Sequence, residues 1–284
     1  MTDLGGLFRA AGVIGFLHAV DIDTGAEVVH GADEPVVTAS VFKVALLVEL
    51  FRQADEGRLD LAERVTVMAD RHTPGPTGVS AMTDDVTISL RDLAYLMMAV
   101  SDNTAADTLI GRVGLSAINT MLVSFGLNGT WVEHDCRDLY LSIVEDTEQK
   151  DLPTEPAMID RLRAFDPART NRSTPRDMTR LLSGIWRDEA ASAESCAVMR
   201  RLLGLQVWPH RLSSGFPYDD IAVSGKTGTL PPTVRNEVGV VEYPDGGRYA
   251  VAVFTRSYGT AQNQPRADAV IGTSARAAIE QLRG

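Results

Sequence analysis

Strand-forming sequence stands at the two ends of this chain and helical sequence fills the middle, an arrangement that leaves few folds open. Val13 to Asp21 alternates loosely, turns at Asp23-Thr24-Gly25 and resumes over Ala26 to His30, the pattern of a hairpin. Ile221 to Ser224, Glu237 to Tyr243 and Tyr249 to Arg256 read as strands near the other end, the last two joined by Pro244-Asp245-Gly246-Gly247. Between these groups, Thr38 to Phe51 is apolar almost all round, which predicts a helix buried at the centre. Ile88 to Val113 and Ser116 to Phe125 are also helical in pattern, and Pro175 to Arg187 follows Thr174 as its cap. From Glu133 to Arg172 the pattern dissolves into acidic, proline-containing sequence with one amphipathic turn at Ala157 to Phe165. A helix over Ala267 to Leu282 closes the chain. Strands at both ends have to meet in one sheet, so the expected class is α+β in αβα layers. An antiparallel sheet built from both chain termini would be flanked by helices and carry an inserted all-helical subdomain. The expectation is one catalytic domain over 1–284, with an α/β subdomain at 1–44 and 191–284 and a helical subdomain at 45–190.

Lysine is nearly absent: three stand against 24 arginines, and two of the three occupy suggestive places. Arginine stays charged in a protein, whereas a buried lysine can lose its proton and act as a base. Lys43 is the only charged residue between Ala39 and Val48 and lies three residues after Ser40. Residues i and i+3 share a helix face, so Ser40 Oγ and the Lys43 ammonium are expected within hydrogen-bond reach. A serine beside such an amine is an activated nucleophile; a capping serine and a snorkelling lysine is the plainer reading of the same residues.

Ser101-Asp102-Asn103 interrupts the apolar run Leu93 to Ile110. The triplet suits helix capping, and it equally suits a Ser101 that passes a proton and an Asn103 that donates to an amide. Lys226-Thr227-Gly228-Thr229 falls at the end of a predicted strand. Gly225-Lys226-Thr227 matches the tail of a phosphate-binding loop, but position 220 is Asp where that loop needs glycine, and Pro231-Pro232 prevents the helix that must follow.

The net charge of −11 argues against nucleic acid and against anionic membrane surfaces as partners. No apolar run approaches the roughly 20 residues of a membrane span, and the first residues lack a signal-peptide pattern. The expectation is therefore a cytoplasmic protein, or a secreted or periplasmic one if an export signal was removed. Cys136 and Cys196 are expected as free thiols, because a chain with 44% hydrophobic residues needs no disulfide. The five histidines show no metal spacing, and Gly-x-Ser-x-Gly is absent. No cofactor or metal is expected, and the partner is a small molecule met by a monomer.

Ser-x-x-Lys, then Ser-Asp-Asn, then Lys-Thr-Gly in this order is the signature set of penicillin-interacting serine enzymes. From about Val13 to the C-terminal helix the chain resembles the class A serine β-lactamase family. Ala105-Ala106 after the triplet, Thr174-Pro175 with Met178, Arg235 nine residues after Lys226, and Asn236-Glu237-Val238-Gly239 extend the likeness. The resemblance implies that Ser40 attacks the strained amide with Lys43 helping to remove its proton. Backbone N–H groups of Ser40 and Thr229 would form the oxyanion hole, and Ser101, held by Lys226, would protonate the departing nitrogen. Thr227, Gly228, Thr229 and Arg235 would hold the substrate carboxylate, and Asn103 its side-chain amide.

The family's deacylating glutamate lies in Glu-x-x-Leu-Asn on a loop before the Thr-Pro. The nearest match is Glu155-Pro156-Ala157-Met158-Ile159, which has Ile159 in place of the asparagine and falls three residues early. Asn171 stands where the loop-pinning aspartate would be. The expected function is a serine β-lactamase working through an acyl-enzyme on Ser40, with Glu155 as deacylation base. The alternatives are a related esterase or D-Ala-type peptidase, or a penicillin-binding sensor that stays acylated.

Overall fold

The computed structural model describes residues 2–147, 155–159 and 161–284. The first helix, α1 (Leu4–Ala11), precedes a hairpin of β1 (Val13–Asp21) and β2 (Glu27–His30). A short strand β3 (Val36–Val37) leads through a 3-10 turn at Ala39–Phe42 into α2 (Lys43–Asp55). A small hairpin, β4 (Arg64–Val67) with β5 (Val86–Ser89), precedes α3 (Leu90–Ala99), α4 (Asn103–Val113) and α5 (Leu115–Ser124). Next come α6 (Cys136–Thr147), the single turn α7 (Pro156–Ile159) and β6 (Arg172–Ser173), which pairs with β3. The chain finishes with α8 (Pro175–Trp186), α9 (Ala193–Gly204), β7 (Ala222–Leu230), β8 (Val234–Glu242), β9 (Arg248–Ser257) and α10 (Pro265–Arg283).

The sheet runs β2-β1-β9-β8-β7 with antiparallel neighbours throughout, so N- and C-terminal strands do meet, at β1 and β9. Both faces are covered. Leu17, Ala19, Val251 and Val253 point to one side, where Leu4 and Phe8 of α1 and Ile271, Ala275 and Ile279 of α10 pack on them. Ala250, Ala252 and Phe254 point to the other, onto a core shared with α2, α3, α4, α8 and α9. Alternate residues along each strand serve the two faces, and because both faces are buried the central strands read as nearly continuous apolar runs.

Three expectations about elements are corrected. The run over Ile88 to Val113 is two helices, because Ser101 adopts φ +63° and Asp102 caps a new helix through Ala105 N. The stretch after Glu133 is not irregular: α6 forms there with only Ser142 and Ile143 buried, too narrow an apolar stripe to show in the sequence. Lys226 to Thr229 lies within β7 rather than at its end, since pairing with β8 continues to Leu230–Val234. Thr174 caps α8 as expected, its hydroxyl accepting from Asp177 N, a contribution of about 1 kcal/mol.

Candidate active site

Ser40 sits in the 3-10 turn between β3 and α2, and Ala39 before it adopts φ +45°. β7 passes directly beside this turn. A side chain at Gly228 would place its Cβ 2.5 Å from Thr38 O and 2.9 Å from Val41 Cγ2, so only glycine lets the strand approach so closely. β7 is also an edge strand, so its outer N–H groups are not committed to a further neighbour in the sheet.

Behind Ser40 lie two fully buried lysines that meet at one hydroxyl. Lys43 Nζ donates to Ser101 O at 2.8 Å, Asn103 Oδ1 at 2.9 Å and Asp102 O at 3.3 Å, and stands 3.5 Å from Ser101 Oγ. Lys226 Nζ donates to the same Ser101 Oγ at 2.9 Å and to Thr227 O at 2.8 Å. Burial holds Lys43 below the usual lysine range; Lys226 is pushed well below it, by burial first and then by the neighbouring Lys43 charge. The Lys43 ammonium makes no hydrogen bond to Ser40 Oγ, contrary to expectation. The chain passes from 3-10 to α geometry between them, with Lys43 N bonded back to Ser40 O, and the three acceptors of residues 101–103 draw the ammonium towards Ser101.

Asp102 makes this geometry possible. It is wholly buried, and its carboxylate accepts from Val79 N at 2.6 Å, Ser80 Oγ at 2.9 Å, Ala105 N at 3.2 Å and Ser80 N at 3.3 Å. Gly78, at φ +62°, gives way to it: a Cβ there would lie 2.2 Å from Asp102 Oδ2. These bonds hold Ser101 in its left-handed conformation, which by itself costs roughly 1–3 kcal/mol. Asp102→Ala is expected to strand those donors and destabilise the fold by about 3 kcal/mol, read from the midpoint of urea unfolding. A loss under about 0.5 kcal/mol would contradict this role.

In front of Ser40 opens a cleft of about 390 Å³ lined by Ser101, Asn103, Thr227, Thr229 and Arg235 among others. Asn103 Nδ2 gives one hydrogen to Pro74 O at 2.9 Å and keeps its second. Arg235 is buried, donates to Gln262 O at 2.7 Å, lies 3.6 Å from the Asp268 carboxylate, and leaves its Nη1 buried without a hydrogen-bond partner. Eight predicted residues are thus gathered around or behind the cleft, and Gly228 admits the strand that borders it. Glu155 is exposed and is not among the cleft's lining residues; its carbonyl accepts from Met158 N and Ile159 N of α7.

Several site residues escaped the sequence. Arg211 is buried among Gly228 O, Asn236 O and Thr229 Oγ1, and forms an ion pair with Asp268 at 2.6 Å. Gln206 accepts from Thr227 N at 2.6 Å and donates to Glu237, whose carboxyl burial pushes up to about 7. Trp208 and His210 line the cleft beside them. The segment from Gln206 to Arg211 has no apolar period, so nothing local marked it. Asn171 does pin the neck of a long loop: its Oδ1 accepts from Glu133 N and His134 N at 2.8 Å each, and its Nδ2 donates to His134 O. Both cysteines are free thiols.

Residues 3–282 match the model of the beta-lactamase enzyme family. A beta-lactamase regulatory protein, BlaB of Streptomyces cacaoi, is 32% identical over 100% of this chain and 97% of its own length. Among solved structures, a beta-lactamase from Sphaerobacter thermophilus superposes with TM-score 0.79 at 28% identity, covering 96% of this chain and 95% of that one. An ancestral class A beta-lactamase superposes with TM-score 0.80 over 98% of both chains; at 23% identity the likeness concerns the fold.

Proposed function

The chain belongs to the beta-lactamase enzyme family, and on that footing we propose that it opens β-lactam rings by acyl transfer to Ser40, with hydrolysis of the resulting ester as the slower half of the reaction. The observation that carries this reading is the pair of buried lysines joined at Ser101 Oγ behind a serine that lines the cleft. Ser40 Oγ attacks the lactam carbonyl and its proton enters the Lys43–Ser101–Lys226 chain. Backbone N–H groups of Ser40 and Thr229 hold the developing oxyanion. The carbonyl–nitrogen bond breaks, and Ser101 returns a proton to the departing ring nitrogen. Arg235 receives the substrate carboxylate with Thr227 and Thr229, and Asn103 receives the side-chain amide.

A second reading, a protein that signals by remaining acylated, is favoured by one observation: the exposed Glu155 lies outside the cleft. That a similar protein bears a regulatory name agrees with it. Intact mass of the protein mixed with benzylpenicillin, with drug hydrolysis followed in parallel, tests the proposal. A one-to-one adduct on the peptide bearing Ser40 is expected. Neither adduct nor drug loss over hours would end the β-lactam reading.

A further inference from the structure

We propose that Cys136 stands where the base for deacylation must act, and that this thiol leaves the Ser40 ester long-lived. The inference rests on the acylation reading above and concerns the step after it. Hydrolysis requires a water whose oxygen adds to the ester carbonyl carbon while a nearby group takes its proton. The carbon–Oγ bond then breaks and Ser40 regains a proton. On the acylation reading that base has to be close to Lys43 and to Asn103, whose Oδ1 takes the Lys43 ammonium beside the cleft.

α4 and α6 determine what is there. Asn103 and Asp107 are one turn apart on the same face of α4. Asn103 takes the Lys43 ammonium, while Asp107 takes the first amides of α6, Cys136 N at 2.7 Å and Arg137 N at 3.0 Å. The start of α6 is thereby fixed one helical turn from the Lys43 contact. The Cys136 thiol lies close enough to Lys43 and Asp107 to feel both charges. Burial raises the Asp107 carboxyl, but both its oxygens are engaged, by Thr73 Oγ1 at 2.7 Å and by the two amides, which suits it to holding α6 in place. Burial pushes the thiol of Cys136 upward, so near neutrality it is an uncharged S–H and a poor acceptor for a water proton. The sequence agrees: Cys136-Arg137-Asp138-Leu139-Tyr140 carries cysteine and Leu139 at the spacing of glutamate and leucine in Glu-x-x-Leu-Asn, inside the loop that Asn171 closes.

The test uses the full chain with benzylpenicillin, comparing the wild type with Cys136→Glu, Cys136→Asp and Cys136→Gln by intact mass and drug hydrolysis. The wild type should acquire a persistent adduct. At least one acidic variant should acylate and then lose its adduct on the order of 10²-fold faster or more, whereas Cys136→Gln should gain no such acceleration. Folded acidic variants that shed the adduct no faster, or a Cys136→Gln as fast as they are, would overturn the proposal while leaving acylation of Ser40 intact. Rapid drug loss without a lasting adduct in the wild type would overturn it even if the acidic variants failed to fold. A wild type that never labels would instead overturn the acylation reading beneath it.

Discussion

Ser40→Ala is expected to abolish covalent labelling by benzylpenicillin, lowering acylation by at least ~10⁴-fold while the protein keeps its thermal transition. The size of the effect follows from the chemistry: among the described residues no other hydroxyl combines a place on the cleft wall with a turn running directly into Lys43. Ser101, the other serine lining the cleft, has its Oγ bonded to Lys226 and lies close to Lys43, an arrangement suited to relaying a proton. Ser40 sits in a 3-10 turn held against β7, and its removal leaves no buried donor or acceptor stranded, so a cost to folding within about 0.5 kcal/mol is expected. An adduct of unchanged mass in the alanine variant would move the nucleophile elsewhere, and peptide mapping of that adduct would say where.

How much of this was legible in the sequence depends on how far each signal reaches along the chain. Ser40 and Lys43 share one turn, Ser101 to Asn103 are consecutive, and Lys226 to Thr229 lie in one strand. Short motifs survive in sequence because their members are neighbours. The meeting of N- and C-terminal strands was legible for a similar reason, since strands with helices between them have few ways to bury both faces. The break at Ser101 was only half legible: the triplet suits a helix cap, but apolar residues continue in helical register through α3 and again through α4. Asp102 caps α4 through Ala105 N, and the tertiary grip of Val79 and Ser80 on the same carboxylate fixes the kink. Arg211 and Cys136 were hidden in the same way. Arg211 is held by carbonyls of β7 and β8, and Cys136 reaches the site through Asp107, 29 positions earlier in the chain. Glu155 stands out in the sequence because a proline and an apolar residue follow it as in the family's pattern, although it falls three residues early counted back from Pro175. In the structure Asn171 holds Glu133 and His134 at the neck of this segment. What brings Cys136 towards Lys43 is its contact with Asp107, a pairing between distant positions that no local pattern records.

Lys43→Met is expected to slow acylation by roughly 10²–10⁴-fold, and the pH profile of what remains carries the sharper information. Both lysines are buried and only Ser101 Oγ separates them, so two protons on the pair repel across a poorly screened space. Losing one of those protons at lower pH than an exposed lysine would is what equips the pair to accept the proton of Ser40. For the wild type the sign is fixed: the amine form accepts a proton, so acylation should rise with pH and level off below the ordinary lysine range. Methionine keeps the length of the side chain and removes the charge. With Lys43 gone, the second-largest cause of Lys226's depression disappears while burial and the weaker effect of the Arg211 charge remain, so Lys226 should titrate at higher pH than before. The residual acylation of Lys43→Met should therefore climb at higher pH than the wild-type limb. Lys43→Arg retains a cation that cannot deprotonate, so Lys226 should remain depressed and the limb should not move up. Stopped-flow acylation rates across pH for the three proteins decide the matter. A Lys43→Met profile superimposable on the wild type, merely scaled down, would show that the lysines do not share their proton.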